Sequence, residues 1–276
     1  MFLVFAVCAF GLNAGSEIRT ERRVTLSSLD DKELARAASS VMLVRSEVAI
    51  GRNGDARIVS DAGSGILVTP CHVMTARHVL GQESSALAPV TRAFTVSVFR
   101  PNERAPMRSA SEDQTATLVV SGSDRGMRRS ELLNDWAFME LEAPVTDRAP
   151  LLPFAGNCCS PKKSRIALAG FPVDLYDPEA PAIWIDPDCR VTERLANRIL
   201  GTDCAATSGN SGGPLLISTS SGWRLGAILT RAPGPGEANP GSGQEKFAIP
   251  IDAFLKRRIG LLQESCSRRL ESAAAG

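Results

Sequence analysis

The segment Gly209-Asn210-Ser211-Gly212-Gly213-Pro214 constrains this chain more than any other part of it. A serine set between glycines can present its hydroxyl and the neighbouring backbone N–H groups to one carbonyl, and a histidine is the usual group that takes the hydroxyl proton. The chain holds 2 histidines, His72 and His78, and both precede Ser211. That order decides between folds. Gly209 to Gly213 matches the G-x-S-x-G turn of the α/β-hydrolases, but that fold places its histidine after the serine and is excluded. The order left is histidine, acid, serine. Asp135, in Asn134-Asp135-Trp136-Ala137-Phe138-Met139-Glu140-Leu141, supplies the acid between them. Glu140 is a rival on the same alternating segment, without the D-x-A setting. His72 follows Pro70-Cys71 between two apolar strands and reads as a partly exposed turn residue.

Thr75-Ala76-Arg77-His78-Val79-Leu80, Asp135-Trp136-Ala137 and Gly209-Asn210-Ser211-Gly212-Gly213-Pro214 resemble the three signature blocks of the trypsin-like serine peptidases, of a bacterial secreted branch. Gly63-Ser64-Gly65-Ile66-Leu67-Val68 is similar to the strand and turn before the family's histidine, and Phe247-Ala248-Ile249-Pro250-Ile251 to its last strand. The resemblance implies that His78 is the general base toward Ser211 and then the general acid toward the leaving amine. It implies that Asp135 holds the imidazole in the useful tautomer. The N–H groups of Gly209 and Ser211 match the family's oxyanion hole. By the same resemblance, Ala205 lines the base of the primary substrate pocket, followed by Ala206, and Ile228 adds an apolar wall. With no carboxylate there, a preference for Lys or Arg is not expected, since a buried cation needs a partner. Arg231 or Lys246 would serve as an anion partner if turned inward. Leu229 stands where the family usually has a serine that supports the aspartate, and Thr230 fills that place if the strand is shifted by one residue. Asn210 replaces the aspartate that binds a newly cut N-terminal amine in trypsins, so activation by such insertion is not expected.

Composition fits an ordinary folded enzyme: 276 residues, 43% hydrophobic and a net charge of +1 give one or two cores and no bias toward nucleic acid. Phe2 to Leu12 is an uncharged apolar run followed by the small residues of Asn13-Ala14-Gly15-Ser16, the pattern of a cleaved signal peptide. The run is too short to span a bilayer, and no membrane span is expected elsewhere. Export to the periplasm or the medium permits disulfides. Of the 7 cysteines, Cys8 leaves with the signal. Cys189 and Cys204 bracket a short segment ending at the serine turn and are expected to pair. Cys158 and Cys159, as neighbours, are each expected to reach elsewhere, with Cys71 and Cys266 as partners. There is no C-x-x-C pair, and neither a metal nor a cofactor is expected.

Short strands separated by turns run along the chain: Ile66-Val68, Val73-Thr75, Thr95-Phe99, Thr115-Val120 and Trp136-Leu141 as one set, then Arg165-Ala169, Ile183-Ile185, Pro214-Ile217, Trp223-Thr230 and Phe247-Ile251. The expected fold is all-β, with two antiparallel six-stranded-type barrels side by side and a short C-terminal helix. The expected division is a signal peptide (1–16), an N-terminal arm or propeptide (17–38), the first barrel (39–145), a linker (146–160), the second barrel (161–251) and a helix and tail (252–276). Ser28 is placed to cap a short helix through Ala37, and Asp252 to cap the last helix, with Phe254, Leu255, Ile259 and Leu262 on its inner face. A PDZ domain after that helix, as in the high-temperature-requirement proteases, is not expected. The function expected is a monomeric, exported serine endopeptidase acting on polypeptides through an acyl-enzyme. Two alternatives remain open: an esterase-only domain, or a catalytically silent domain that binds a peptide in the cleft.

Overall fold

The computed structural model describes residues 22–50, 57–81, 91–100, 110–122, 132–156, 165–178, 180–195, 198–231 and 246–275. The expected signal peptide and the Cys158-Cys159 pair lie outside them. In chain order the elements are β1 (Val24–Thr25), α1 (Lys32–Ala38), β2 (Val41–Ile50), β3 (Arg57–Thr69), β4 (His72–Thr75), β5 (Thr91–Arg100), β6 (Ala110–Ser121), β7 (Ala137–Leu141), β8 (Ile166–Gly170), β9 (Trp184–Cys189), β10 (Val191–Arg194), β11 (Leu200–Thr202), β12 (Pro214–Thr219), β13 (Gly222–Arg231), β14 (Lys246–Pro250) and α2 (Ala253–Ala275).

Strands β2 to β7 close into a six-stranded barrel in the order β2-β3-β4-β7-β6-β5. Successive side chains on a strand point to opposite faces, and over Val41 to Val44 of β2 both faces are buried. Met42 and Val44 pack inside the barrel with Leu67, Val96 and Met139. Val41 and Leu43 pack outward, in a cluster shared with Ile185, Leu216 and Ile249 of the second sheet. A strand buried on both sides reads as a continuous apolar run rather than an alternation, which is why β2 is absent from the sequence-based expectation.

The second sheet has the order β1-β9-β8-β12-β13-β14-β11-β10. Only Arg190 separates β9 from β10, yet the two lie toward opposite ends of that order, so the sheet must curl until its ends approach. The expected Cys189–Cys204 disulfide joins β9 to the residues following β11, with Cα atoms 4.8 Å apart. The interior holds Leu168, Val191, Leu200, Leu215, Ala227 and Leu229. The two β units therefore have separate interiors and a third apolar layer between them.

Four expectations are corrected. Helix α1 is capped by Asp31, whose Oδ1 accepts from Leu34 N–H at 2.9 Å, because the chain through Ser28 forms a 3-10 turn instead. Asp252 does cap α2, accepting from Leu255 N–H at 3.0 Å, but Phe254 is 49% exposed while Leu255 and Ile259 are buried. The buried stripe starts at Leu255 and recurs at helical spacing, which puts Phe254 on the flank. Cys71 pairs with Cys266, Cα atoms 5.6 Å apart, rather than with Cys158 or Cys159. The 23-residue α2 is longer than expected and reaches Cys71 in the β3–β4 turn, and Arg269 donates at the end of β7 to Glu140 at 3.0 Å and to Leu141 O at 2.9 Å. Among the described residues, no helix is long and apolar enough to cross a membrane.

Candidate active site

Register places the histidine beside the aspartate. Thr75 of β4 lies opposite Ala137 of β7, so the turn after one strand and the turn before the other leave the barrel at the same point. His78 N–H donates to Asp135 Oδ1 at 2.8 Å, and His78 Nδ1 lies 2.7 Å from Asp135 Oδ2. A carboxylate only accepts, so Nδ1 carries the proton of the neutral ring and Nε2 is left as the acceptor. Asp135 is buried, at 5% exposure, and Thr230 Oγ1 donates to the same Oδ2. That third donor comes from β13, where the pairing with β14 slips between Leu229 and Arg231. The bulge turns Thr230 into the place that Leu229 would otherwise take, as the one-residue shift anticipated.

The serine turn is built from glycines for steric reasons. Gly209 and Gly212 have φ of 89° and 82°, a region that side chains disfavour. A Cβ at Gly209 would lie 2.2 Å from Phe171 O, and one at Gly212 would lie 2.1 Å from Ser64 O. Ser64 of β3 fastens the turn to the first barrel: Ser64 N–H donates to Ser211 O at 2.7 Å, Ser64 Oγ donates to Gly209 O at 2.7 Å, and Phe171 N–H donates to Ser64 Oγ at 2.9 Å. Thr75 Oγ1 donates to Ser64 O at 2.7 Å, which ties this junction to the strand that leads into His78. Sequence reasoning gave Ser64 no role; the glycines at 63 and 65 were the signal, because a Cβ at Gly63 would lie 2.9 Å from Ser211 O.

Within the turn, Asn210 N–H donates to Thr207 O at 3.1 Å, Gly212 N–H to Leu229 O at 2.7 Å and Gly213 N–H to Asn210 O at 2.8 Å. Among the described residues, the N–H groups of Gly209 and Ser211 donate to nothing, and the Ser211 hydroxyl makes no hydrogen bond. Buried amides are almost always paired. Here two such N–H groups, on either side of Asn210, have no acceptor among the described residues. A hydroxyl contact absent without substrate often forms in the substrate complex.

The other candidates fall as follows. Ala205 and Ala206 are buried, with Ala206 among the residues of the second interior and Ile228 in the layer between the β units. Arg231 pairs with Phe247 through its backbone, and its side chain lies outside the described residues. Lys246 is half-buried, and burial lowers its ammonium pKa against the opposing pull of Asp186 and Asp203. His72 is buried on β4, not in an exposed turn, with Nδ1 2.8 Å from Thr69 Oγ1. Burial lowers its pKa from 6.5, with Glu140 raising it and Arg269 lowering it. Its partners exclude it from the site around Ser211. Glu140, the rival acid, pairs with Arg269 instead. Among the described residues, no group of His, Cys, Asp or Glu side chains is placed to hold a metal ion.

Residues 63–225 match the trypsin-like peptidase domain, more than half of the chain and inclusive of all three blocks. The chain belongs to the trypsin-like peptidase family. Membership makes residues 63–225 a trypsin-like peptidase domain. Solved structures similar to this peptidase include a serine endoprotease from Yersinia pestis, with a TM-score of 0.52 and 21% identity over 85% of this chain and 66% of that one. Deg5 gives 0.50 and 18% over 82% and 90%. A Glu endopeptidase gives 0.57 and 13% over 88% and 96%. These likenesses bear on the fold. The peptidase spans just under two thirds of the Yersinia protein's length. No curated protein matches the chain.

Proposed function

We propose that this peptidase is an exported serine endopeptidase in which Ser211 forms the acyl-enzyme. His78 serves as base and acid, Asp135 orients it, and the amides of Gly209 and Ser211 bind the oxyanion. The observation that carries the reading is the 2.7 Å contact of His78 Nδ1 with the doubly supported Asp135 carboxylate, because it leaves Nε2 as the one ring atom able to take a proton. Ser211 Oγ attacks the scissile carbonyl while its proton passes to Nε2. The carbonyl oxygen becomes an anion held by the two amides, and Nε2–H then protonates the leaving amine as the C–N bond breaks. Water repeats the sequence against the ester, with His78 again as base, and Ser211 is released. Thr230 keeps Oδ2 turned toward the imidazole throughout.

The uncharged residues Ala205, Ala206 and Ile228 support cleavage after small or medium apolar residues. Arg231, if turned into the pocket, would select acidic residues instead. Export is supported by the two disulfides among the described residues. The proposal includes action as a monomer, the barrel limits 39–145 and 161–251 and the intervening linker. Labelling with a fluorophosphonate probe, read by peptide mass mapping, tests the mechanism. Attachment to Ser211 that is lost in His78→Ala supports it, whereas a wild-type protein that resists the probe sinks it and favours a silent peptide-binding domain. A peptide-library digest with wild type and Arg231→Ala reads the pocket. An acidic preference that vanishes in the variant rejects the apolar pocket, and dominant cleavage after Lys or Arg rejects both versions.

A further inference from the structure

The segment before α1 docks on the second sheet. Val24 lies opposite Ile185 and Thr25 opposite Trp184, and Leu26 N–H donates to Ile183 O at 2.9 Å. This docking brings Arg22 and Arg23, just ahead of β1, to the loop 203–211 that carries the serine. Arg23 meets Asp174 with both ends of its fork, Nη1 to Oδ1 at 3.0 Å and Nη2 to Oδ2 at 2.6 Å. Asp174 Oδ1 also accepts from Thr207 Oγ1 at 2.6 Å. Thr207 N–H then donates to Asn210 Oδ1 at 3.1 Å, and Val173 N–H, beside Asp174, donates to Ser208 O at 2.8 Å. Arg22 acts at the start of the loop. Its Nη2 reaches Asp186 Oδ2 and Asp203 O, both at 3.0 Å, and its Nη1 reaches Asp188 O at 2.8 Å. Asp186 Oδ2 in turn accepts from Ala205 N–H at 2.8 Å.

Residues 203 to 208, the approach to Gly209, are thus held by two arginines from outside the loop, and Thr207 passes the contact on to Asn210. The Arg23 side chain is 2% exposed and that of Asp186 0%, so neither charge can be left unpaired without a large penalty. A guanidinium fork also fixes orientation, not only distance. The conformation of the loop and the docking of the arm are therefore linked.

We infer that Arg22 and Arg23 are positioning residues for the reaction: the docked arm holds residues 203–210 in the conformation that leaves the amides of Gly209 and Ser211 without acceptors. Undocking the arm abolishes that conformation while the His78–Asp135 pair, built on the first barrel, stays in place. The inference rests on the proposed acyl-enzyme reading. Lys246 also lies within electrostatic reach of Asp186 and Asp203 and partly replaces Arg22, so Arg23 is the sharper probe.

The test is steady-state kinetics of the full chain on a peptide substrate, for wild type, Thr207→Val, Arg23→Ala and the double variant. Thr207→Val keeps the Arg23–Asp174 pair and cuts only its link to the loop, so it carries the test should Arg23→Ala fail to fold. Displacing an oxyanion donor without removing it lowers kcat by about 10–100-fold for each single variant, with KM within about twofold. The double variant falls no further than the worse single, since both cut one connection. Affinity for a peptidyl boronic acid, whose tetrahedral adduct needs the same amides, falls by the same factor. Wild-type kcat in Thr207→Val, a loss confined to KM, or multiplicative effects in the double variant overturns the inference. If wild type itself proves inactive, the proposed mechanism has failed, and hydrogen exchange decides this one separately. Faster exchange of peptide 203–213 in Arg23→Ala, with the first barrel unchanged, supports the linkage, and unchanged exchange refutes it.

Discussion

Replacing Thr230 by valine removes one hydroxyl and almost no volume, so its effect isolates the third hydrogen bond to Asp135. The carboxylate is buried, at 5% exposure, and keeps two donors from His78 after the change. A hydrogen bond to a charged group contributes about 1.5–3 kcal/mol. Because Asp135 is not orphaned, the lower end applies, about 1.5 kcal/mol. If the hydroxyl serves mainly to stop the carboxylate rotating away from Nδ1, most of this loss appears when the imidazole takes the proton. At about 1.4 kcal/mol per factor of ten, kcat/KM falls about tenfold. KM moves little, since Thr230 contacts Asp135 and not substrate. Kinetics on a peptide substrate, with a thermal melt of the same preparation, measures both consequences. A variant with wild-type kcat/KM and a lowered Tm would show that Thr230 supports only the fold, and the orienting argument would be wrong.

Gly209→Ala combines a strained φ with a Cβ 2.2 Å from Phe171 O, so it lowers turnover by about 10²–10³ through displacement of the oxyanion amide; unimpaired hydrolysis of a peptide substrate contradicts this. The Cys189→Ser/Cys204→Ser variant opens a bridge of sequence separation 15, worth about 3 kcal/mol in the chain-entropy account, and a melt lowered by roughly 6–12 °C checks it. His72 has its pKa lowered mainly by burial. The unfolded chain therefore binds its proton first as pH falls below about 6.5, and stability declines from there down through the folded pKa. The Tm of His72→Gln, measured across pH 4 to 8, is flatter than that of wild type over this window, and an equal slope refutes the assignment.

The candidates His78, Asp135 and Ser211 stand out in the sequence because each sits in a short block whose residue types are dictated locally: glycines where φ is positive or a carbonyl crowds the Cβ, and a D-x-A at the mouth of a strand. The Cys189–Cys204 bridge was legible for a similar reason, its separation being short. The Cys71–Cys266 bridge spans 195 residues, and no spacing encodes where a terminal helix comes to rest. The later part of α2 is mostly polar and is anchored by Cys266 and Arg269 rather than by an apolar stripe, so its length was hidden. Strand β2 lacked alternation because both its faces are buried over Val41 to Val44. Nothing in the sequence singles out Arg22 and Arg23, which the register of β1 against β9 puts beside Asp186 and Asp174. That register depends on one pair of residues in each strand and leaves no periodic trace.

The central claim is that Ser211 and His78 act as one unit in acyl transfer. Turnover of a peptide substrate by Ser211→Ala, His78→Ala and the double variant tests it most directly. Each single variant should lose about 10⁶ in kcat, with the double variant scarcely worse, because removing either member disables the same step. Retention of a tenth of wild-type activity in Ser211→Ala, or losses that multiply in the double variant, would contradict the account.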